Sequence, residues 1–231
     1  MLEVAMEAIL FIWNNIKHIA DSIKVPCVLT LIIETLNNPG PEKVNLFWAL
    51  SFIVQTYLYI VIVVRLHRIF LLNETESSLQ GSLKWRKNNT NYLLTSLAIG
   101  LIAAVIAAPF IFCFTLIFGV SEANSEIYMY VIMIPAGYVL SRISLVLPSV
   151  AINDKIDFSE SWRISKGNGW KVFILLTIIP IVFNAITDIL YFDHIALRPI
   201  YALLGIIFLI IEVIIFSNTY KKLILYRSIA S

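Results

Sequence analysis

The sequence predicts an all-α membrane protein. Six transmembrane helices form three parallel two-helix hairpin repeats, each preceded by an amphipathic interfacial helix. Three observations carry this expectation. First, apolar residues make up 59% and charged residues 14% of the 231 residues, with a mean hydropathy of +0.86. A soluble domain carries roughly 25% charged residues and cannot hide so much apolar surface. Second, the apolar residues gather into runs of about 20, the length that crosses a hydrocarbon core of about 30 Å. Third, Lys and Arg fall almost entirely on one side of those runs. Together these exclude an ordinary cytosolic enzyme, a disordered chain and a nucleic-acid binder. Nothing alternates with period two, so a β-barrel is excluded too.

The chain starts with the acidic Met1-Leu-Glu-Val-Ala-Met-Glu7, which lacks the basic n-region of a cleaved signal. The following stretch, with Phe11, Trp13, Lys17 and His18, suits an interfacial helix. The first crossing, residues 18–36, is the most polar, holding Asp21, Lys24, Pro26 and Glu34. The others are expected at residues 45–64, 92–120, 127–147, 169–192 and 196–217. Pro109, Pro135 and Pro180 should each kink one helix.

With both termini in the cytoplasm, the outside loops are residues 37–43, 121–126 and 193–196. Only Lys43 and Arg198 of the 17 basic residues then fall outside. Glu42, Glu122, Glu126 and Asp193 face the other compartment. Asn73-Glu-Thr75 and Asn88-Asn-Thr90 match the glycosylation pattern but lie on the cytoplasmic side, so they are discarded.

Two polar stretches between hairpins read as short helices in the headgroup layer: residues 76–87 and 154–166. Each offers a capping box, Ser77 with Gln80 and Asp154 with Asp157. Each also offers an i, i+4 apolar pair, Leu79 with Leu83 and Phe158 with Trp162. Trp85, Arg86, Trp162, Arg163, Lys166, Trp170 and Lys171 are the expected lipid-facing belt, suited to anionic lipid of the cytoplasmic leaflet. A solvated linker that contains Trp is the alternative. Gly167-Asn-Gly169 reads as a break between the second stretch and the following membrane helix.

The two stretches share Ser-x-x-Trp-Arg-x-x-x-x-Asn, with Ser82, Trp85, Arg86 and Asn91 matched to Ser159, Trp162, Arg163 and Asn168 at one offset of 77. Arg65 and Arg142, each 20 residues before its Trp, keep the same offset. The chain length of 231 is three times 77. The single membrane domain therefore divides into units of about 1–77, 78–154 and 155–231, with the first unit degraded.

Three segments are similar to a family of uncharacterised bacterial six-helix integral membrane proteins. They are residues 64–74 (VRLHRIFLLNE), 141–151 (SRISLVLPSVA) and 159–171 (SESWRISKGNGWK). The same pattern resembles the membrane domain of glycerophosphodiester phosphodiesterases. Leu66 stands where the family pattern has Trp. The resemblance implies a bacterial inner-membrane architecture. It carries over neither the phosphodiesterase chemistry nor any site residue.

The residues offer no catalytic constellation, and no cofactor is implied. His18, His67 and His194 are scattered, and no HExxH, GxSxG, Walker loop or GxGxxG occurs, so catalytic and metal sites are not expected. Cys27 and Cys113 read as buried free thiols. Arg142 and Glu212 sit at matched depth and are the candidate intramembrane pair, with Arg142 reaching to phosphate as the alternative. Asn184, Asp188 and Gln55, with Glu34, are candidates for a polar cavity, although hydrogen bonding between helices would also account for them. The function expected from these features is a non-enzymatic scaffold or accessory subunit that organises lipid or other membrane proteins. The alternative is a small transporter or lipid carrier with a cavity near Arg142, Asn184 and Glu212.

Overall fold

The computed structural model describes residues 2–36, 46–74, 81, 83–118, 134–154, 156–189 and 198–230. The regular elements among them are helices: α1 (Leu2–Leu36), α2 (Leu46–Leu72), α3 (Lys87–Phe118), α4 (Ile134–Ala151) and α5 (Phe158–Ile164). Helix α6 starts as Gly169–Phe173, passes through a π segment at Ile174–Ile178 and continues as Ile179–Ile189. Helix α7 is Arg198–Ala230. Five of these, α2, α3, α4, α6 and α7, are long and apolar enough to cross a membrane. Helix α1 is as long, but Asp21, Lys24 and Glu34 set it outside that class.

Several pairs of long helices run antiparallel. Phe11 near the start of α1 meets Phe70 near the end of α2 edge-on, ring centroids 4.7 Å apart. Asn88 in the first turn of α3 donates to the carbonyl of Ala151 at the end of α4, 2.8 Å. Thr177 of α6 donates to the Gly137 carbonyl of α4, 3.2 Å. Phe183 of α6 stacks on Phe208 of α7 at 4.6 Å. Asn218 of α7 donates to the Val4 carbonyl of α1, 3.0 Å. The start of α1, the end of α7, the α2–α3 link and α5 therefore gather at one end, called here the closed end.

The core lies toward that end. Ile60 to Val64 and Leu66 of α2 are all buried, so α2 is apolar on every side and central. Ala8, Ile19 and Ile23 of α1 and Val213, Ile214 and Ile215 of α7 close around it. Away from the closed end the helices show their apolar side chains. Helix α3 is the extreme case, with Leu101, Val105, Phe112, Leu116 and Ile117 all exposed.

Several sequence expectations need correction. No interfacial helix stands apart before residue 18, because α1 is one helix of 35 residues whose first half packs into the core. Lys24 pairs with Asp21 at 3.3 Å on its exposed face, so those charges do not break it. Helix α7 does not stop at Ser217. Its next turns are held by α1 through Asn218 and through Lys222, which lies 2.9 Å from the Glu7 carboxylate. Helix α5 is capped by Asp157, which accepts from the Glu160 N–H at 2.7 Å. Asp154 instead accepts from the Tyr220 hydroxyl, 2.5 Å. Cys27 and Cys113 are free thiols, but Cys113 is exposed rather than buried. Ser77, Leu79, Gln80, Ser82 and the three outside loops lie outside the described residues.

Proline explains two interruptions. Pro148 cannot donate to the carbonyl of Ser144 and its ring crowds that turn. The helix breaks at Ser144–Leu145, where Leu147 N–H takes the Ser144 carbonyl instead, 2.7 Å. Pro180 follows the π segment Ile174–Ile178, a wider turn that accommodates a missing donor. Pro109 and Pro26 sit within uninterrupted helices.

Candidate functional site

Two junctions at the closed end hold the charged side chains that the sequence singles out. The second is the more elaborate. Arg142, in the middle of α4, is only 7% exposed. Its Nε donates to Ser165 Oγ at 2.8 Å and its Nη2 to the Trp162 carbonyl at 2.7 Å. Its own carbonyl accepts from Ser161 Oγ, 2.6 Å. The Trp162 ring lies over the guanidinium carbon at 3.6 Å, within cation–π range. Helix α5 has seven residues, too few to persist alone. It is latched onto α4 by these bonds, with Ser161 and Ser165 completely buried.

The polypeptide then turns through Gly167, whose φ of +82° suits glycine, and α6 starts at Gly169 as the sequence break predicts. Beside this turn opens a cleft of about 320 Å³ lined by Tyr138, Arg142, Lys166, Trp170 and Lys171 among others. Tyr138 and Trp170 face each other with ring centroids 5.0 Å apart.

The first junction is tighter. Arg65 donates to the Ser22 carbonyl of α1 at 2.9 Å and to the Gly81 carbonyl. Arg68 donates to the Ala151 carbonyl at 2.9 Å and pairs through both Nε and Nη2 with Glu74. That pairing holds the Glu74 carboxyl below the usual carboxylate range. Trp85 stacks on Tyr57, centroids 5.0 Å apart, and donates to Thr90 Oγ1 at 2.8 Å. Arg65, Arg68, Glu74, Lys84 and Arg86 line a crevice of only about 30 Å³, room for about one or two waters.

The other belt residues are exposed. Arg163 pairs with Glu160 at 3.4 Å, and Trp170, Lys166 and Lys171 reach outward. Asn88, part of a glycosylation pattern, is buried and serves the α4 terminus.

The expected intramembrane pair is not made. Arg142 gives Nε and Nη2 to Ser165 and Trp162, and no ion pair joins it to Glu212, which sits on α7 near Tyr59. Gln55 lines a separate cleft of about 370 Å³ between α1, α2 and α7, with Thr30, Glu34 and Tyr59. Asn184 is exposed on α6 and does not join it, and the Asp188 side chain lies outside the described residues.

Sequence reasoning missed one polar cluster. His67 is completely buried, with Nδ1 2.7 Å from Ser217 Oγ and Nε2 3.4 Å from the Tyr92 hydroxyl. Ser217 Oγ donates to the Val213 carbonyl at 2.8 Å, so its oxygen accepts from Nδ1–H and Nε2 is left to accept from Tyr92. One histidine thus ties α2 to α3 and α7. Its only sequence signal is a histidine two residues after Arg65.

No family model, curated protein or solved structure matches the chain. Among the described residues no group of three metal-ligating side chains comes together. The closed end can bind: it offers cations, aromatic rings and backbone turns around an open cleft.

Proposed function

We propose that this chain is a non-enzymatic scaffold or accessory subunit of the bacterial inner membrane. In this reading it crosses six times, with both termini cytoplasmic and the closed end on the cytoplasmic side. Its partners are anionic lipids of the cytoplasmic leaflet and other membrane proteins. The observation that carries the reading is α3. Of the five spans it is by far the least buried within the chain, 6% against 22–56%. A helix that gains so little from its own fold presents its apolar flank to lipid or to another protein. The two arginine junctions support an inexact repeat. In each, an Arg binds the backbone of the segment that follows, and that segment's Trp packs on a Tyr of the preceding helix. The resemblance of residues 64–74, 141–151 and 159–171 to six-helix bacterial proteins points the same way.

The test is purification in a mild detergent, followed by identification of co-purifying proteins and lipids. A stoichiometric partner or retained anionic lipid is expected, and an isolated monomer with neither would sink the reading. Reporter fusions should read outside after Asn38 and after Asn124, and inside after Lys84.

The cleft beside Gln55 favours a second reading, a small transporter or lipid carrier. It would use Glu34, Gln55 and Tyr59 rather than the constellation of Arg142, Asn184 and Glu212. Solute-dependent quenching of the chain in vesicles, lost in Gln55→Leu, would choose it over the scaffold.

A further inference from the structure

We propose that the cleft at the head of α6 binds a phosphate group, with Arg142, Lys166 and Lys171 as its counter-charges. The inference rests on the lipid-organising reading above and gives it a site and a ligand chemistry.

Charge accounting leads to it. A charged side chain removed from water is ordinarily paired with an opposite charge. Arg142 is 7% exposed, yet both of its hydrogen-bond partners are neutral: the Ser165 hydroxyl and the Trp162 carbonyl. Among the described residues no carboxylate pairs with it. The neighbouring cations behave otherwise, since Arg68 has Glu74, Arg163 has Glu160 and Lys222 has Glu3 and Glu7. The remaining guanidinium nitrogen, Nη1, bonds nothing among the described residues.

Arg142 lines the 320 Å³ cleft together with Lys166 and Lys171, and among the described residues no acidic one lines it. Neither lysine makes an ion pair among the described residues. Three cationic residues thus stand around one opening.

The rest of the cleft suits the same ligand. Tyr138 and Trp170 wall it, and Gly167 and Gly169 bring backbone to its surface. A methyl group on Gly169 would stand 2.6 Å from the Tyr138 hydroxyl, so glycine lets Tyr138 pack against the backbone as one wall of the cleft. A tetrahedral group with several acceptor oxygens can meet a planar guanidinium edge and two mobile ammonium groups at once. The first junction makes the contrast. Its crevice is a tenth of the size and holds its own carboxylate, Glu74, so it has neither the room nor the unbalanced charge.

The phosphate could belong to a lipid headgroup at the bilayer surface or to a free anion from water. The full-length chain in detergent is titrated with dihexanoyl-phosphatidylglycerol, with dihexanoyl-phosphatidylcholine and with sodium phosphate, read by Trp fluorescence and by calorimetry. Saturable binding of phosphatidylglycerol, with phosphatidylcholine at least about tenfold weaker, is expected, since the choline masks the charge. Saturation by phosphatidylglycerol alone assigns the headgroup, and saturation by sodium phosphate as well assigns the bare anion. Lys166→Ala/Lys171→Ala should weaken binding about 25-fold, about fivefold per lysine. Both side chains are exposed, so the fold should survive, which circular dichroism checks. Lys17→Ala/Lys87→Ala, which removes equal charge elsewhere, should bind as the natural chain does.

Equal binding by the Lys166/Lys171 variant and the natural chain overturns the proposal. So does the absence of saturable binding by either anion. If that absence came with a stoichiometric partner on the natural chain, the site would fall while the scaffold reading stood. Saturable binding by a chain that purifies without a partner or retained lipid would do the reverse.

Discussion

Arg65 and Arg142 occupy matching places 77 residues apart, and both hold the polar segment that follows their helix. They differ in how their surroundings are neutralised. Around Arg65 the chain supplies its own acid, since Glu74 grips the neighbouring Arg68, and the space left is about 30 Å³. Around Arg142 it supplies only neutral acceptors and an aromatic ring, and a cleft ten times larger opens beside it. The comparison teaches that one motif can serve two ends. Where the charges balance inside the chain the junction is a fastening, and where they do not an open cleft stands beside the fastening.

The comparison can be broken hardest at Arg142. Arg142→Met removes two charge-assisted hydrogen bonds and leaves α5 held to α4 only through Ser161 and packing. A loss of about 3–6 kcal/mol is expected, at about 1.5–3 kcal/mol for each such bond. Thermal unfolding in detergent and protease cleavage near residues 152–168 would measure it. A variant as stable as the natural chain would show that α5 is held by other contacts.

The next effect belongs to the Arg65 side. His67→Ala empties a completely buried position and leaves Ser217 and Tyr92 without a partner, which should cost about 2–4 kcal/mol. His67→Gln should recover part of that. If both variants unfold alike, size rather than hydrogen bonding holds the three helices.

The tryptophans should separate the junctions more finely. Trp162→Leu uncovers the Arg142 guanidinium and should cost about 1–2 kcal/mol. Trp85→Leu loses a stack on Tyr57 and should cost about 0.5–1.5 kcal/mol. A larger loss for Trp85 would reverse the ranking.

Acid gives the smallest and most selective effect. The Glu74 carboxyl is held low first by its hydrogen bonds to Arg68. Its stabilising contribution is complete above the unfolded carboxylate value of 4.5 and is lost as pH falls through the lower folded value. Glu7, held low by Asn218 and then Lys222, follows the same sign at the α1–α7 contact. Hydrogen exchange between pH 7 and pH 3 should loosen the ends of α1 and α2 and leave the middle of α4, at Arg142, unchanged, because among the described residues no carboxylate pairs with Arg142. Equal loosening at both junctions would erase the distinction.

Much of this was readable from residue order. Five of the apolar runs became helices of spanning length, the Gly167–Gly169 break fell where expected, and the Trp-Arg spacing marked both junctions. What was not readable was direction. On a helix that is apolar all round, spacing does not say which polar residue turns inward. Gln55 faces a cleft, Asn184 faces outward and His67 is sealed, although all three lie in similar apolar company. Charge misled in the same way. Asp21 and Lys24 make the first crossing the most polar in the sequence, and they decorate the outer face of α1. Asn218 and Lys222 read as the end of α7 and instead fasten it to α1.

Helix α3 holds to the rest of the molecule mainly through its first turns, at Asn88, Asn89 and Tyr92. Its 31 residues from Lys87 to Ile117 measure about 46 Å at about 1.5 Å per residue, against a hydrocarbon layer of about 30 Å. That surplus length is enough to span with tilt, and among the described residues past Ile99 few side chains of α3 are buried, so the angle is left to whatever covers its exposed apolar flank.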